Sequence, residues 1–180
     1  MAGSAFPNWK RFALRQRRPL SGCIPTGYEI LLRAANVQGV DLDSFQDEFD
    51  LDQDIDKGVP PRNNFDSVAD AVRAKYPQLI FKNVSFVTGA AKLAFVDERI
   101  AAQQLPFLVS LFMAAVVEGA AGWHIMPAVE ASDDELTLLH SVLADGRCQV
   151  LRVPKSELVR IYDEFPGGKE VAYFAPVEAS

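Results

Sequence analysis

Cysteine and histidine are scarce in this chain of 180 residues: two of each, Cys23, Cys148, His124 and His140. Two cysteines are too few for a disulfide framework, which points to a reducing compartment and makes the cytoplasm the expected location. Two cysteines and two histidines without a short pair spacing also give no zinc pattern. Net positive charge is missing as well. Lys and Arg total 18 against 24 Asp and Glu, a formal charge of -6, and a protein that must neutralise phosphates needs the opposite balance. Nucleic acid is therefore not an expected partner. The most apolar run, Leu105 to Val117, has 13 residues and contains Pro106 and Ser110. That is short of the roughly 20 needed to span a bilayer. The N-terminal stretch "MAGSAFPNWKRFALRQRRPL" has no uninterrupted apolar region, so no secretory signal is read there.

What is present describes a packed protein. Hydrophobic residues make up 49% and charged residues 23%, with 12 Phe along the chain and no break in composition, so residues 1–180 are expected to form one domain. Basic residues gather only at Lys10, Arg11, Arg15, Arg17 and Arg18, which read as a solvated lead-in.

After the lead-in, Ile24, Tyr28, Leu31 and Leu32 fall at i, i+4, i+7 and i+8 and predict a helix ending near Asn36, with Pro25 in its first turn. Leu42, Phe45 and Phe49 suggest a short second helix. Asn63 or Asn64 can cap a third, "FDSVADAVRAKY". "QLIFKNVSFV" reads as a strand and "AAKLAFVDERIAAQQ" as a helix. From Leu105 strands dominate: "LPFLVSLFMAAV", "GWHIMPAVEA", "ELTLLHSVL", "RCQVLRV" and "EVAYFAPV", with the helix "PKSELVRIYDEF" between the last two. Helices first and then a mainly antiparallel sheet is the α+β pattern.

Eight acidic residues lie between Asp41 and Asp56. Asp50, Asp52 and Asp54 fit the first ligand positions of a calcium loop, but Ile55 stands where the turn needs Gly and Pro61 where it needs a bidentate Glu. The segment reads as a solvated acidic loop, suited to be a lid or a docking surface for a basic substrate. No cofactor or metal is implied.

Cys23 is the candidate for chemistry, because unpaired N–H groups and the dipole at a helix start favour a thiolate there. Nucleophilic catalysis by that thiol needs an imidazole and a third group to orient it. A hairpin through "EASDDE" would bring His124 and His140 near each other, with His140 on the strand face of Leu136 and Leu138. Asp133, Asp134 and Ser141 are the alternatives for the third position.

Taken in order, Gln16, "SGCIPTGYEILLRAA", "QLPFLVSLFM", "GWHIMPAV", "ELTLLHSV" and the strand–helix–Gly–strand tail are similar to the papain-like cysteine peptidase superfamily. The chain resembles especially the compact bacterial branches of that superfamily akin to the double-glycine, bacteriocin-processing peptidases. The resemblance implies a papain-like fold with N-terminal helices packed on the sheet. It implies Cys23 as nucleophile, His124 as general base and acid, and Gln16 as oxyanion donor with the Cys23 N–H. His140 stands where the family has Asn or Asp, Ile24 follows the Cys where Gly or Ser is usual, and Gln16 lies seven residues before Cys23. The expected activity is hydrolysis of a peptide or amide through an acyl-enzyme, with a protein partner left open. The alternatives are a papain-like binding or scaffold protein without catalysis, and acyl transfer to an amine. Cys148, beside Arg147, reads as core packing.

Overall fold

The computed structural model describes residues 4–5, 8–102, 106–141 and 149–175. A two-residue strand β1 (Ser4–Ala5) precedes three helices, α1 (Cys23–Ala34), α2 (Phe45–Phe49) and α3 (Phe65–Lys75). Strand β2 (Phe81–Ser85), helix α4 (Gly89–Ala101), and strands β3 (Phe107–Phe112), β4 (Trp123–Ala131), β5 (Glu135–His140) and β6 (Gln149–Pro154) follow. Helix α5 (Lys155–Glu164) and strand β7 (Glu170–Phe174) close the described chain.

The strands form one antiparallel sheet in the order β2–β7–β3–β4–β5–β6, and β1 adds to the end of β4. This is an α+β fold with helices on both faces of the sheet. Alternation along β3 decides which core each residue enters: Leu108 faces α1 and α3, whereas Phe107, Val109 and Leu111 face α4 and α5. Tyr28, Leu31, Leu32, Phe65 and Val68 fill the first core; Val96, Ile100, Leu158 and Ile161 fill the second. Leu31, Leu32, Val68 and Val96 are fully buried. Each such side chain contributes about 1.5–3 kcal/mol of transfer free energy.

Helix α1 lies close against β3 because Gly27 faces the sheet. A Cβ at Gly27 would lie 2.7 Å from Leu108 Cδ1. Its start is fixed by polar contacts with α2: Thr26 Oγ1 donates to Gln46 Oε1 at 2.7 Å, and Gln46 Nε2 donates to Glu29 Oε2 at 2.9 Å. Asn64 caps α3, accepting from the Ser67 N–H at 2.8 Å.

Two expectations change. The strand read from Leu105 onward stops at Phe112, where Met113–Ala115 form a 3-10 turn. The acidic segment is only partly solvated. Asp50 and Asp52 are buried at 3% and 4% exposure, with oxygens that accept from Ser21 Oγ, Asn63 Nδ2 and the backbone N–H of Arg62 and Asn63. Burial of a carboxylate is tolerable only with such donors. The basic lead-in is solvated as expected, with Lys10, Arg11, Arg15 and Arg17 exposed, and it adds surface pairs in which Arg17 Nη1 donates to Asp47 Oδ2 at 2.8 Å and Arg18 Nε lies 3.4 Å from Asp47. Cys148 lies outside the described residues. Among the described residues no helix is long and apolar enough to cross a membrane.

Candidate active site

Cys23 is the first residue of α1, after Gly22, which has no side chain to cap the helix. The first-turn amides are therefore left for other acceptors. The backbone N–H groups of Ile125, Ile24 and Cys23 itself are directed at the sulfur and hold its pKa down, but burial outweighs them and the nearby Asp50 charge adds to the rise. The resting group is a thiol at neutral pH. Its side chain is partly exposed, packed against the α1–α3 core together with Ile125.

The contact with Ile125 brings β4 to the thiol one residue after His124. His124 shares the phase of Met126 and Ala128, which enter the α4–α5 core, whereas Ile125 enters the α1–α3 core. Its imidazole is mostly buried, and Nε2 has no hydrogen-bond partner among the described residues. Burial, followed by repulsion from His140, lowers its pKa from 6.5 to about 4. The two rings meet edge to face, with centroids 4.9 Å apart and planes at 81°. The hairpin makes this meeting possible: Ala128 pairs with Leu138 before a register shift at Val129, and His140 ends β5 opposite Gln149 of β6.

Gln16 joins the end of β5 to the start of α1. Its backbone N–H donates to the Ser141 carbonyl at 3.0 Å, and its Nε2 donates to the Arg18 carbonyl at 2.7 Å. The side chain is buried, Oε1 has no partner among the described residues, and a Cβ on Gly22 would lie 3.3 Å from Gln16 Cγ. Among the described residues Nε2 makes one bond, that to the Arg18 carbonyl, which uses one of its two hydrogens, beside the turn that carries Cys23.

The alternatives for the third position separate. Asp133 and Asp134 are exposed in the β4–β5 turn, at the opposite end of the hairpin from His124 and His140, and the Asp134 carbonyl accepts from Lys155 N at 2.7 Å. They are removed from the site. Ser141 is buried next to His140. The Ser21–Asp50–Asn63 network, which sequence reasoning missed, fixes the turn before Cys23: Ser21 Oγ donates to Asp50 at 2.6 Å, and Asn63 Nδ2 donates to Asp50 at 2.7 Å and to the Ser21 carbonyl at 3.0 Å. A carboxylate 29 residues after the Ser21 it binds leaves no local signal beside the thiol, because its burial depends on a loop that returns at Asn63. Among the described residues no group of three or more His, Cys, Asp or Glu side chains is arranged to hold a metal ion.

Neither a known family nor a curated protein matches the chain. Among solved structures, a protein from Bacillus anthracis provisionally described as a C39-like peptidase is similar, with a TM-score of 0.61, at 10% sequence identity, over 97% of this chain and 98% of that one. At that identity the likeness shows the fold: helices packed on an antiparallel sheet, as in that protein.

Proposed function

We propose that the protein is a cysteine-dependent hydrolase of the peptidase or amidase class. One observation carries the reading: the Cys23 sulfur sits at a helix start facing three backbone N–H groups, one of them from the residue after His124. The shared fold with a protein provisionally described as a C39-like peptidase supports it. A single domain over residues 1–180 belongs to the same proposal.

The resting thiol and neutral imidazole define the chemistry. His124 removes the Sγ proton as the sulfur attacks the amide carbonyl, so a C–S bond forms and the carbonyl electrons move to oxygen. The second Gln16 Nε2 hydrogen and the Cys23 N–H hold that oxyanion. Collapse breaks the C–N bond, and the proton on His124 leaves with the amine. Water, deprotonated by His124, then cleaves the thioester and regenerates the thiol. His140, edge to face with His124, orients the base.

A second reading has its own support. The His124 phase along β4 and the burial of the Cys23 thiol favour a scaffold that keeps the fold without catalysis. A panel of peptide and acyl-amide probes separates the two. Turnover in the wild type that is lost in Cys23→Ser and in His124→Ala supports the hydrolase. Turnover that persists in Cys23→Ser, or none with any probe and no acyl adduct on Cys23 by mass spectrometry, supports the scaffold.

A further inference from the structure

Lys92, on α4, is fully buried, and among the described residues no carboxylate pairs with it. Burial lowers its pKa well below 10.5 while the Glu170 charge opposes the shift, so the surroundings must satisfy the Nζ group. They do so with three groups. Lys92 Nζ lies 3.2 Å from Ser110 Oγ, donates to the Gly168 carbonyl, and sits 3.7 Å from the centroid of the Tyr162 ring. A hydroxyl, a carbonyl and a π face surround the Nζ group.

The same groups bind one another. Ser110 Oγ donates to the Gly168 carbonyl at 2.8 Å, and the Tyr162 hydroxyl donates to the Ser110 carbonyl at 2.7 Å. This hub joins α4, α5, β3 and the turn before β7. Its outer edge is Trp123, the first residue of β4. Gly167 and Gly168 have φ of +91° and +73°, and a Cβ on Gly168 would collide with the Trp123 ring, so only glycine leaves room for the indole. Trp123 Nε1 donates to the Pro166 carbonyl at 3.1 Å. Its inner edge is the register of the sheet, where Ser110 pairs with Ile125, the residue whose N–H faces the Cys23 sulfur.

We propose that Lys92 is a positioning residue for the thiol site: its Nζ group locks β3 to the Gly167–Gly168 turn, and Trp123, seated on that turn, holds the start of β4 so that the Ile125 amide stays at Cys23 and His124 stays against His140. The role rests on the reading that Cys23 and His124 act together. Lys92 touches no reacting atom.

The test uses the full chain with Lys92→Met, which keeps the length of the side chain and removes its donors, and Ser110→Ala, a smaller change at the same hub. Two quantities are measured: the rate of Cys23 alkylation by iodoacetamide relative to that of His124→Ala, and the NMR signals of the His124 imidazole and the Trp123 indole. Both variants are expected to lower the His124-dependent rate about 10-fold, as loss of an outer orienting contact does, and to move the His124 and Trp123 signals. An unchanged rate with unmoved signals in folded Lys92→Met overturns the role. If Lys92→Met does not fold, Ser110→Ala decides by the same two measurements. If His124→Ala leaves Cys23 alkylation unchanged in the otherwise native chain, the thiol–imidazole reading fails separately. The positioning role then stands or falls on the His124 and Trp123 signals alone.

Discussion

The imidazoles of His124 and His140 pack edge to face across the β4–β5 hairpin, 4.9 Å between centroids. Two cations cannot share that space cheaply, and burial already disfavours the first. Both effects lower the His124 pKa from 6.5 to about 4. His124 is therefore a base at neutral pH.

The same depression sets a pH dependence of stability. The unfolded chain takes up a proton on His124 below pH 6.5, but the folded one does so only near pH 4. Stability from this group is complete above 6.5 and falls as pH drops toward 4, by about 1.4 kcal/mol per unit and on the order of 3 kcal/mol in all. Urea unfolding at pH 7 and at pH 4 is expected to show this loss, and His124→Phe to remove it from the difference. Equal slopes in the two proteins would contradict the depressed imidazole.

Cys23 gives a second pH signature. Burial and the Asp50 charge raise its pKa above 9.0 despite the three amides. Thiolate must then appear only on the alkaline side, so the iodoacetamide rate at Cys23 is expected to climb through pH 9 with no plateau below pH 7. A plateau at pH 6 would require a thiolate–imidazolium pair, which a His124 pKa of about 4 does not allow. Peptide mapping of the adduct over pH 5 to 10 checks this.

Much of this arrangement was legible in the sequence where local spacing decides it. The stripe of Ile24, Tyr28, Leu31 and Leu32 predicted α1, and all four enter the core. Asn63 or Asn64 is expected to start α3, and Asn64 does; alternation around His140 predicted its face with Leu136 and Leu138. What could not be read depends on distant chain. Lys92 looks like an ordinary polar position of α4 until Gly168, 76 residues on, supplies its acceptor. Asp50 and Asp52 look solvated until the loop returns at Arg62 and Asn63. The end of β3 at Phe112 is set by the turn at Met113, whose N–H donates to the Gly122 carbonyl, not by any loss of hydrophobicity.

The acidic segment therefore divides into two kinds of carboxylate, and substitution should separate them. Asp50 has a side chain with no exposure and accepts from Ser21 Oγ, Asn63 Nδ2 and the Asp52 N–H at 2.6, 2.7 and 2.9 Å. Asp50→Ala strands these donors in the interior and is expected to cost about 2–4 kcal/mol. Asp54, exposed and paired with Lys57 at 2.7 Å, is expected to cost far less than Asp50 as Asp54→Ala, because solvent screens the pair. Guanidinium unfolding of the two variants measures the gap. Similar values for both would place Asp50 in solvent.

Gly27 tests how closely the thiol-bearing helix must approach the sheet. A methyl there would lie 2.7 and 2.8 Å from the two Leu108 methyl carbons, inside the contact distance of carbon atoms, so α1 must move outward or Leu108 must leave its rotamer. Gly27 has an ordinary helical backbone, and Ala is otherwise the better helix former by about 1 kcal/mol, so any loss comes from the collision. Gly27→Ala is expected to destabilise by about 1–3 kcal/mol. Because α1 carries Cys23 at its first residue, the same displacement should draw the sulfur away from the Ile125 amide and change its alkylation rate. Leu108→Ala opens the space that the new methyl needs. The double variant should therefore lose less than the sum of the single losses, by more than about 0.5 kcal/mol. Strict additivity would mean that Gly27 and Leu108 do not touch.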